Sequence, residues 1–228
     1  MTITKITKAS SPNHDARTLP VSLLVLHYTG MDTGAAAVQR LCDPAARVSA
    51  HYVVGEDGHV LALVDEGRRA WHAGRSCWRG IHDVNSASIG IEIVNGGHDH
   101  GLPAYPDVQM RALIVLCRGI LGRHPIAARD IVGHSDIAPE RKQDPGEHFD
   151  WHRLARAGIG LWPQQAPAAP AQASLAEDLA RIGYCPGADR GSVITAFQRR
   201  YLPDAITGSA CPRTRALAHS LAAMAASP

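Results

Sequence analysis

The sequence predicts an α/β fold, a mixed central β-sheet flanked by helices, with a small C-terminal three-helix domain appended. Three observations carry this. Apolar strand-like runs alternate with helical patterns through the first 160 residues, one Asp-Gly hairpin interrupts them, and a Pro/Ala/Gln stretch precedes a purely helical end.

Val21–Leu26 is a continuous apolar run, as expected of a strand buried on both faces. Gly34–Leu41 reads as a short helix stopped by Asp43-Pro44. His51–Val54 and His59–Val64 flank Gly55-Glu56-Asp57-Gly58, a hairpin signal because Asp-Gly supplies positive φ. Ile89–Val94 alternates around Glu92 and ends at Asn95-Gly96-Gly97. From Pro106 to Gly122, residues Met110, Leu113, Cys117, Ile120 and Leu121 share one helical face, with proline at the start and glycine at the stop. Asp130–Val132 is a short strand leading into Gly133-His134. Residues 163–173, PQQAPAAPAQA, have neither charge nor bulky apolar side chains and read as a semi-rigid linker between a domain at 15–162 and another at 174–228. In the latter, Ser174 caps a helix over Leu175–Ile182, and Gly191–Tyr201 and Arg213–Met224 make two more.

Composition narrows the function. Of 228 residues, 45% are hydrophobic and 19% charged, so the chain can build a packed core. A net charge of +2 gives no field that points to nucleic acid. No run approaches the ~20 apolar residues that span a bilayer, and residues 1–20 show neither an apolar signal core nor a lipid-attachment cysteine. The five cysteines, Cys42, Cys77, Cys117, Cys185 and Cys211, are an odd number without CxxC spacing, which favours free thiols and a reducing, cytoplasmic setting. A periplasmic setting is the alternative if a leader was removed. The thirteen histidines outnumber the eleven aromatic residues and mark where chemistry is to be sought.

Three candidate ligands stand at or after strand ends: His27 in LLVLHYTG, His134 in VGHSDIAP and Asp144 in RKQDPG. Two imidazoles and one carboxylate suffice for catalytic zinc with one position left open. The spacings, 107 and then 10 residues, are not those of a local zinc motif, and each residue taken singly also suits a structural hydrogen bond.

The segments LLVLHYTG, SAHYVVGEDGHVLALV, AWHAG, SIGIEIVN and VGHSDIAPERKQDPG, in this order, resemble the type 2 N-acetylmuramoyl-L-alanine amidases, zinc amidases of bacterial peptidoglycan. The resemblance covers about residues 15–162. It implies zinc on His27, His134 and Asp144, Glu92 as the catalytic glutamate that takes the proton of the attacking water, and Lys142 beside the metal stabilising an oxyanion. The residue-level alternatives are a structural strand carboxylate for Glu92 and a solvated lysine for Lys142. His72 and His51 lie in family motifs and are expected to contact substrate or orient neighbours, with core hydrogen bonding as the alternative. Asn95 and Arg79 are candidates for holding peptide amides or carboxylates. Tyr28, Trp71 and Trp78 suit cleft walls and core packing equally. His98, His100, His124, His148, His152 and His219 are expected at the surface.

The C-terminal segment resembles the three-helix peptidoglycan-binding domain through LAEDLARIGY and VITAFQRRY, and departs from it where PDAITGSACPR replaces the usual Asp-Gly turn. A helical cap docked on the catalytic domain is the alternative. Together the resemblances imply hydrolysis of the amide between the lactyl group of N-acetylmuramic acid, 1,6-anhydro form included, and L-alanine of the stem peptide. Cell-wall recycling is the expected setting, with muropeptides as partners and no obligate protein partner. The tyrosine after the first ligand and the helical C-terminus look closest to the AmiD branch, whose members are usually exported lipoproteins. A secreted or phage-type wall lysin and a non-catalytic recognition protein are the rivals.

Overall fold

The computed structural model describes residues 6–163 and 166–226. Eight strands are present among them: β1 (Ile6–Lys8), β2 (His14–Ala16), β3 (Leu23–Tyr28), β4 (Tyr52–Val54), β5 (Val60–Ala62), β6 (Arg68–Ala70), β7 (Ser88–Ile93) and β8 (Ile131–Gly133). Six form a central sheet in the order β1-β5-β4-β7-β3-β8, and β2 and β6 pair apart from it. The sheet is mixed, as expected. The β4/β5 hairpin is antiparallel, and the four other pairs, β1/β5, β4/β7, β7/β3 and β3/β8, are parallel. Strands β1, β2 and β6 escape the sequence reading because each has three residues and no apolar alternation.

The helices are α1 (Gly34–Cys42), α2 (Val84–Ala87), α3 (Asp107–Leu121), α4 (His134–Ile137), α5 (Trp151–Arg156), α6 (Leu175–Ile182), α7 (Arg190–Tyr201) and α8 (Pro212–Ala226). Helix α3 buries Met110, Leu113, Cys117 and Ile120 of the predicted stripe against Leu24, Leu26, Ile89, Ile91 and Ile93 of the sheet, with Leu121 partly buried at the cluster's edge. Gly122, with αR angles, ends it through backbone bonds to Arg118 and Ile120. At α6 the Ser174 hydroxyl accepts from Glu177 N–H, as the sequence predicts.

The opposite face of the sheet decides how the two ends of the chain relate. Leu23 and Val25 of β3 and Val132 of β8 share one buried cluster with Leu175, Leu179, Ile194, Phe197 and Leu221 of the helical segment. Alternation along β3 therefore sends odd residues to the C-terminal helices and even residues to α3. The atypical segment 202–211 is organised by buried Gln198. Its Oε1 accepts Thr207 and Gly208 N–H, and its Nε2 donates to Ser209 O and Thr214 Oγ1. Gln164 and Gln165 of the expected linker lie outside the described residues.

One expectation is corrected here. Cys77 and Cys185, 108 residues apart, form a disulfide that joins the sheet domain to the helical segment, while Cys42, Cys117 and Cys211 are free. An odd cysteine count carries no information about a pair that only the packing of α6 against the loop before α2 brings together. Among the described residues, no helix is long and apolar enough to cross a membrane.

Candidate metal centre and active site

Parallel strands end at the same edge, and the polar residues that close them meet there. In the β3/β7 register His27 sits beside Glu92, and in the β3/β8 register Leu26 sits beside Gly133, so His134 follows at the same edge. His27 continues the series Leu23, Val25 on the face toward the helical segment. Asp144 comes in from the loop after α4, where its carbonyl accepts Ser135 N–H at 2.9 Å. Gly133 is required at this junction: a Cβ there would lie 2.8 Å from Pro145 Cδ.

His27 Nδ1, His134 Nδ1 and Asp144 Oδ2 lie 2.9–3.0 Å from one another, and all three residues are buried. Hydrogen-bond directions settle the proton positions. Ser88 Oγ–H donates to Val84 O at 2.5 Å, so its oxygen accepts from His72 Nε2–H at 3.2 Å. His72 Nδ1 is thereby an acceptor and takes His27 Nε2–H at 3.0 Å, which leaves the His27 Nδ1 lone pair facing inward. His134 Nε2–H donates to Ala73 O at 3.1 Å, which in the neutral ring turns the Nδ1 lone pair inward. Burial, then repulsion from His134, lowers the His27 pKa to about 4 against the pull of Asp144, so the ring is neutral. Asp144 is ionised, its carboxyl held well below the usual carboxylate range although burial acts to raise it.

Three acceptors thus converge with no proton between them. A divalent cation answers all three at once. Neutral imidazoles with their far nitrogens held, and one carboxylate, are the donor set of a catalytic zinc site, whose ligand atoms stand about 3.3 Å apart in a tetrahedron. The residues fit the ion.

Glu92 reaches the same cleft, of about 400 Å³, whose lining includes Tyr28, Trp71, His134, Lys142 and Asp144. Its Oε2 is shielded from solvent and has no hydrogen-bond partner among the described residues. Burial pushes its carboxyl well above the usual carboxylate range, Asp144 adds to this, and Lys142 pulls it back. A carboxyl in that state can take up and return a proton.

The other candidates divide. Tyr28 lines the cleft, its hydroxyl bonded to His98 Nδ1 at 3.0 Å, so His98, expected at the surface, is part of the wall. Its place just after the strand that carries Glu92 was the available signal. His72 touches the cleft but is spent on His27 and Ser88, and its ring lies against β7 where a Cβ on Gly90 would stand 2.4 Å away. Three expectations of substrate contact are corrected. His51 is fully buried, accepting Gly90 N–H and donating to Arg68 O, so it has no free edge. Asn95 is buried and closes its own loop through Gly97 N–H and Pro103 O. Arg79 points away from the cleft, donating to Arg181 O and pairing with Asp130. Trp78 is core, packed edge-on against Tyr184. Arg141, absent from the sequence reading, lines the cleft and binds Ala73 O and Arg75 O, fixing the carbonyl that orients His134.

Residues 17–147 match the family model described as N-acetylmuramoyl-L-alanine amidase. The chain is 38% identical to N-acetylmuramoyl-L-alanine amidase AmiD of Escherichia coli K12, the match covering 88% of this chain and 82% of that one. The solved structure of E. coli AmiD with anhydro-N-acetylmuramic acid-L-Ala-D-gamma-Glu-L-Lys superposes with a TM-score of 0.81 at 37% identity, over 92% of both chains. AmpDh3 of Pseudomonas aeruginosa, in complex with anhydromuramic pentapeptide, gives 0.82 at 35% identity over 90% of this chain and 92% of that one. The 1,6-anhydro-N-acetylmuramyl-L-alanine amidase AmpD of Enterobacter cloacae is 38% identical over 63% of this chain and 85% of its own. With two imidazoles and a carboxylate converging at the strand ends beside a buried glutamate carboxyl, and with these matches over most of its length, this chain belongs to the N-acetylmuramoyl-L-alanine amidase family.

Proposed function

We propose that the protein hydrolyses the amide bond between the lactyl group of N-acetylmuramic acid, 1,6-anhydro form included, and L-alanine of the stem peptide, with zinc held by His27, His134 and Asp144. The observation that carries this is the Glu92 Oε2, without a hydrogen-bond partner among the described residues, beside three converging lone-pair donors. The bound anhydromuropeptides of E. coli AmiD and P. aeruginosa AmpDh3 support the substrate class. When bound, the ion supplies Lewis acidity to the scissile carbonyl and to water. The chain's own groups do the rest. Glu92 takes a proton from the attacking water as the C–O bond forms, then returns it to the departing alanine nitrogen as the C–N bond breaks. The Lys142 ammonium stabilises the negative oxygen between these events. Tyr28 and Trp71 line the cleft and offer it aromatic surface.

The Cys77–Cys185 disulfide supports an oxidising compartment over the cytoplasm, since such bonds persist where thiols are not kept reduced. Two measurements test the reading. Mass spectrometry of a defined anhydromuropeptide incubated with the enzyme should show release of the intact peptide with a free L-alanine amine, and elemental analysis should show one zinc per chain. Cleavage elsewhere in the peptide, or a metal-free enzyme of full activity, refutes it.

A further inference from the structure

Two neighbouring arginines of α7 reach from the helical segment into the framework of the metal centre. Arg200 is buried, its Nη1 donating to Asp136 Oδ2 at 2.8 Å and its Nη2 to Ile131 O at 3.1 Å. These acceptors flank His134, three residues before it and two after. Asp136 is fully engaged: Oδ2 also accepts Gly133 N–H at 2.8 Å, and Oδ1 accepts the Tyr184 hydroxyl at 2.8 Å. The Arg200 guanidinium lies 3.9 Å from the centre of the Trp151 ring, which also packs beside Gly133. The turn that carries His134 is thus gripped by two residues from beyond position 180. Arg199 pairs with Glu147, three residues past Asp144, at 3.4 Å, and Glu147 holds His98 against Tyr28.

A buried ion pair of this kind is a weak source of stability, because desolvating both charges offsets their attraction. What it supplies is geometry. A guanidinium is a rigid fork that can hold a carboxylate and a carbonyl at fixed separation, which an ammonium cannot. Here the two points held are the two sides of one metal ligand.

We propose that the C-terminal helical segment is a working part of the metal centre, with Arg200 and Tyr184 acting through Asp136 as positioning residues for His134. This rests on the zinc reading above.

The test measures zinc affinity by competition with a chromophoric chelator on the full chain, well below each melting temperature. It compares wild type, Tyr184→Phe, Arg200→Lys and the double variant Asp136→Asn with Arg200→Met, which leaves no unpaired buried charge. Loss of groups that orient metal ligands weakens binding by about 10–100-fold. The double variant should fall in that range, Tyr184→Phe should lose about 5-fold, and Arg200→Lys should fall between them. Zinc affinity within twofold of wild type in Tyr184→Phe and in the folded double variant overturns the proposal, whatever the melting temperatures do. If the double variant does not fold, Tyr184→Phe decides alone. A wild-type chain that binds no zinc defeats the zinc reading itself, and is told apart because it shows before any variant is compared.

Discussion

At the scale of single residues, His72 decides which nitrogen of His27 is free. Because Ser88 spends its proton on Val84 O, the imidazole of His72 presents an acceptor to His27. His72→Leu leaves His27 Nε2–H unsatisfied and should weaken zinc binding by about 10–100-fold, whereas His72→Gln, whose amide oxygen can accept, should recover most of it. Equal zinc affinity in all three proteins, by chelator competition, would remove His72 from the site's support. Asp144→Ala takes away the carboxylate of the proposed ligand set and should abolish zinc binding and turnover together; elemental analysis beside the amidase assay checks both. Glu92→Gln should behave oppositely, retaining one zinc per chain while kcat falls by about 10²–10⁴, since in the proposed mechanism the carboxylate moves a proton and holds no metal. A variant that turns over like wild type, or loses its zinc, refutes that role.

At the scale of elements, Glu66 ties the end of α3 to the β5–β6 connection and to β4. Its carboxylate accepts two bonds from Arg123, one from His124 Nε2 at 2.8 Å and one from the Tyr52 hydroxyl at 2.7 Å. Burial acts to raise its pKa, but these partners outweigh it and bring the value down from 4.5 to about 2. A depressed carboxylate contributes stability that is present above its unfolded pKa and is lost as pH falls through the folded one. The contribution of Glu66 is therefore whole at neutral pH and disappears between about pH 4.5 and about pH 2. Glu66→Gln should lower the melting temperature at pH 7 and narrow its gap to wild type across that acid window. A gap that is constant with pH would mean the cluster contributes packing rather than charge.

At the scale of the whole molecule, the helical segment shares a core with the sheet and is stapled to it by Cys77–Cys185. Closing a loop of about 100 residues removes denatured-state entropy worth on the order of 3–5 kcal/mol. Replacing both cysteines with serine should therefore lower the melting temperature by roughly 10 °C in a chain of this size. Unchanged melting with and without reductant would show that the bridge adds nothing. Ending the chain near Pro163 bares Leu23, Val25 and Val132, and an exposed apolar face of that kind destabilises and aggregates. The truncated protein should lose activity on soluble muropeptide and on sacculi alike. Full stability with loss of sacculus binding alone would instead make the segment a tether.

By itself, the sequence determined the elements whose signals are local. These were the buried runs that became β3 and β7, the Asp-Gly hairpin, the α3 stripe with its proline and glycine ends, and the Ser174 cap. It also placed His27 and His134 at or just after strand ends and Glu92 within its strand, because a polar residue closing or interrupting an apolar run is visible in one dimension. Strand β3 lies two residues later than the run that announces it, since its ladder begins where Leu23 meets Ser88. Only the tertiary structure decided the rest. The Cys77–Cys185 pair, the turning of His51 and Asn95 inward, the diversion of Arg79 to the helical segment and the entry of His98 into the cleft all depend on contacts between distant segments. So does the grip of Arg200 on the turn that carries His134. The physical reason is that side-chain hydrogen bonds and cysteine pairings are decided across the whole fold, and the partners that decide these cases lie as far as 102 residues away for a hydrogen bond and 108 for the disulfide.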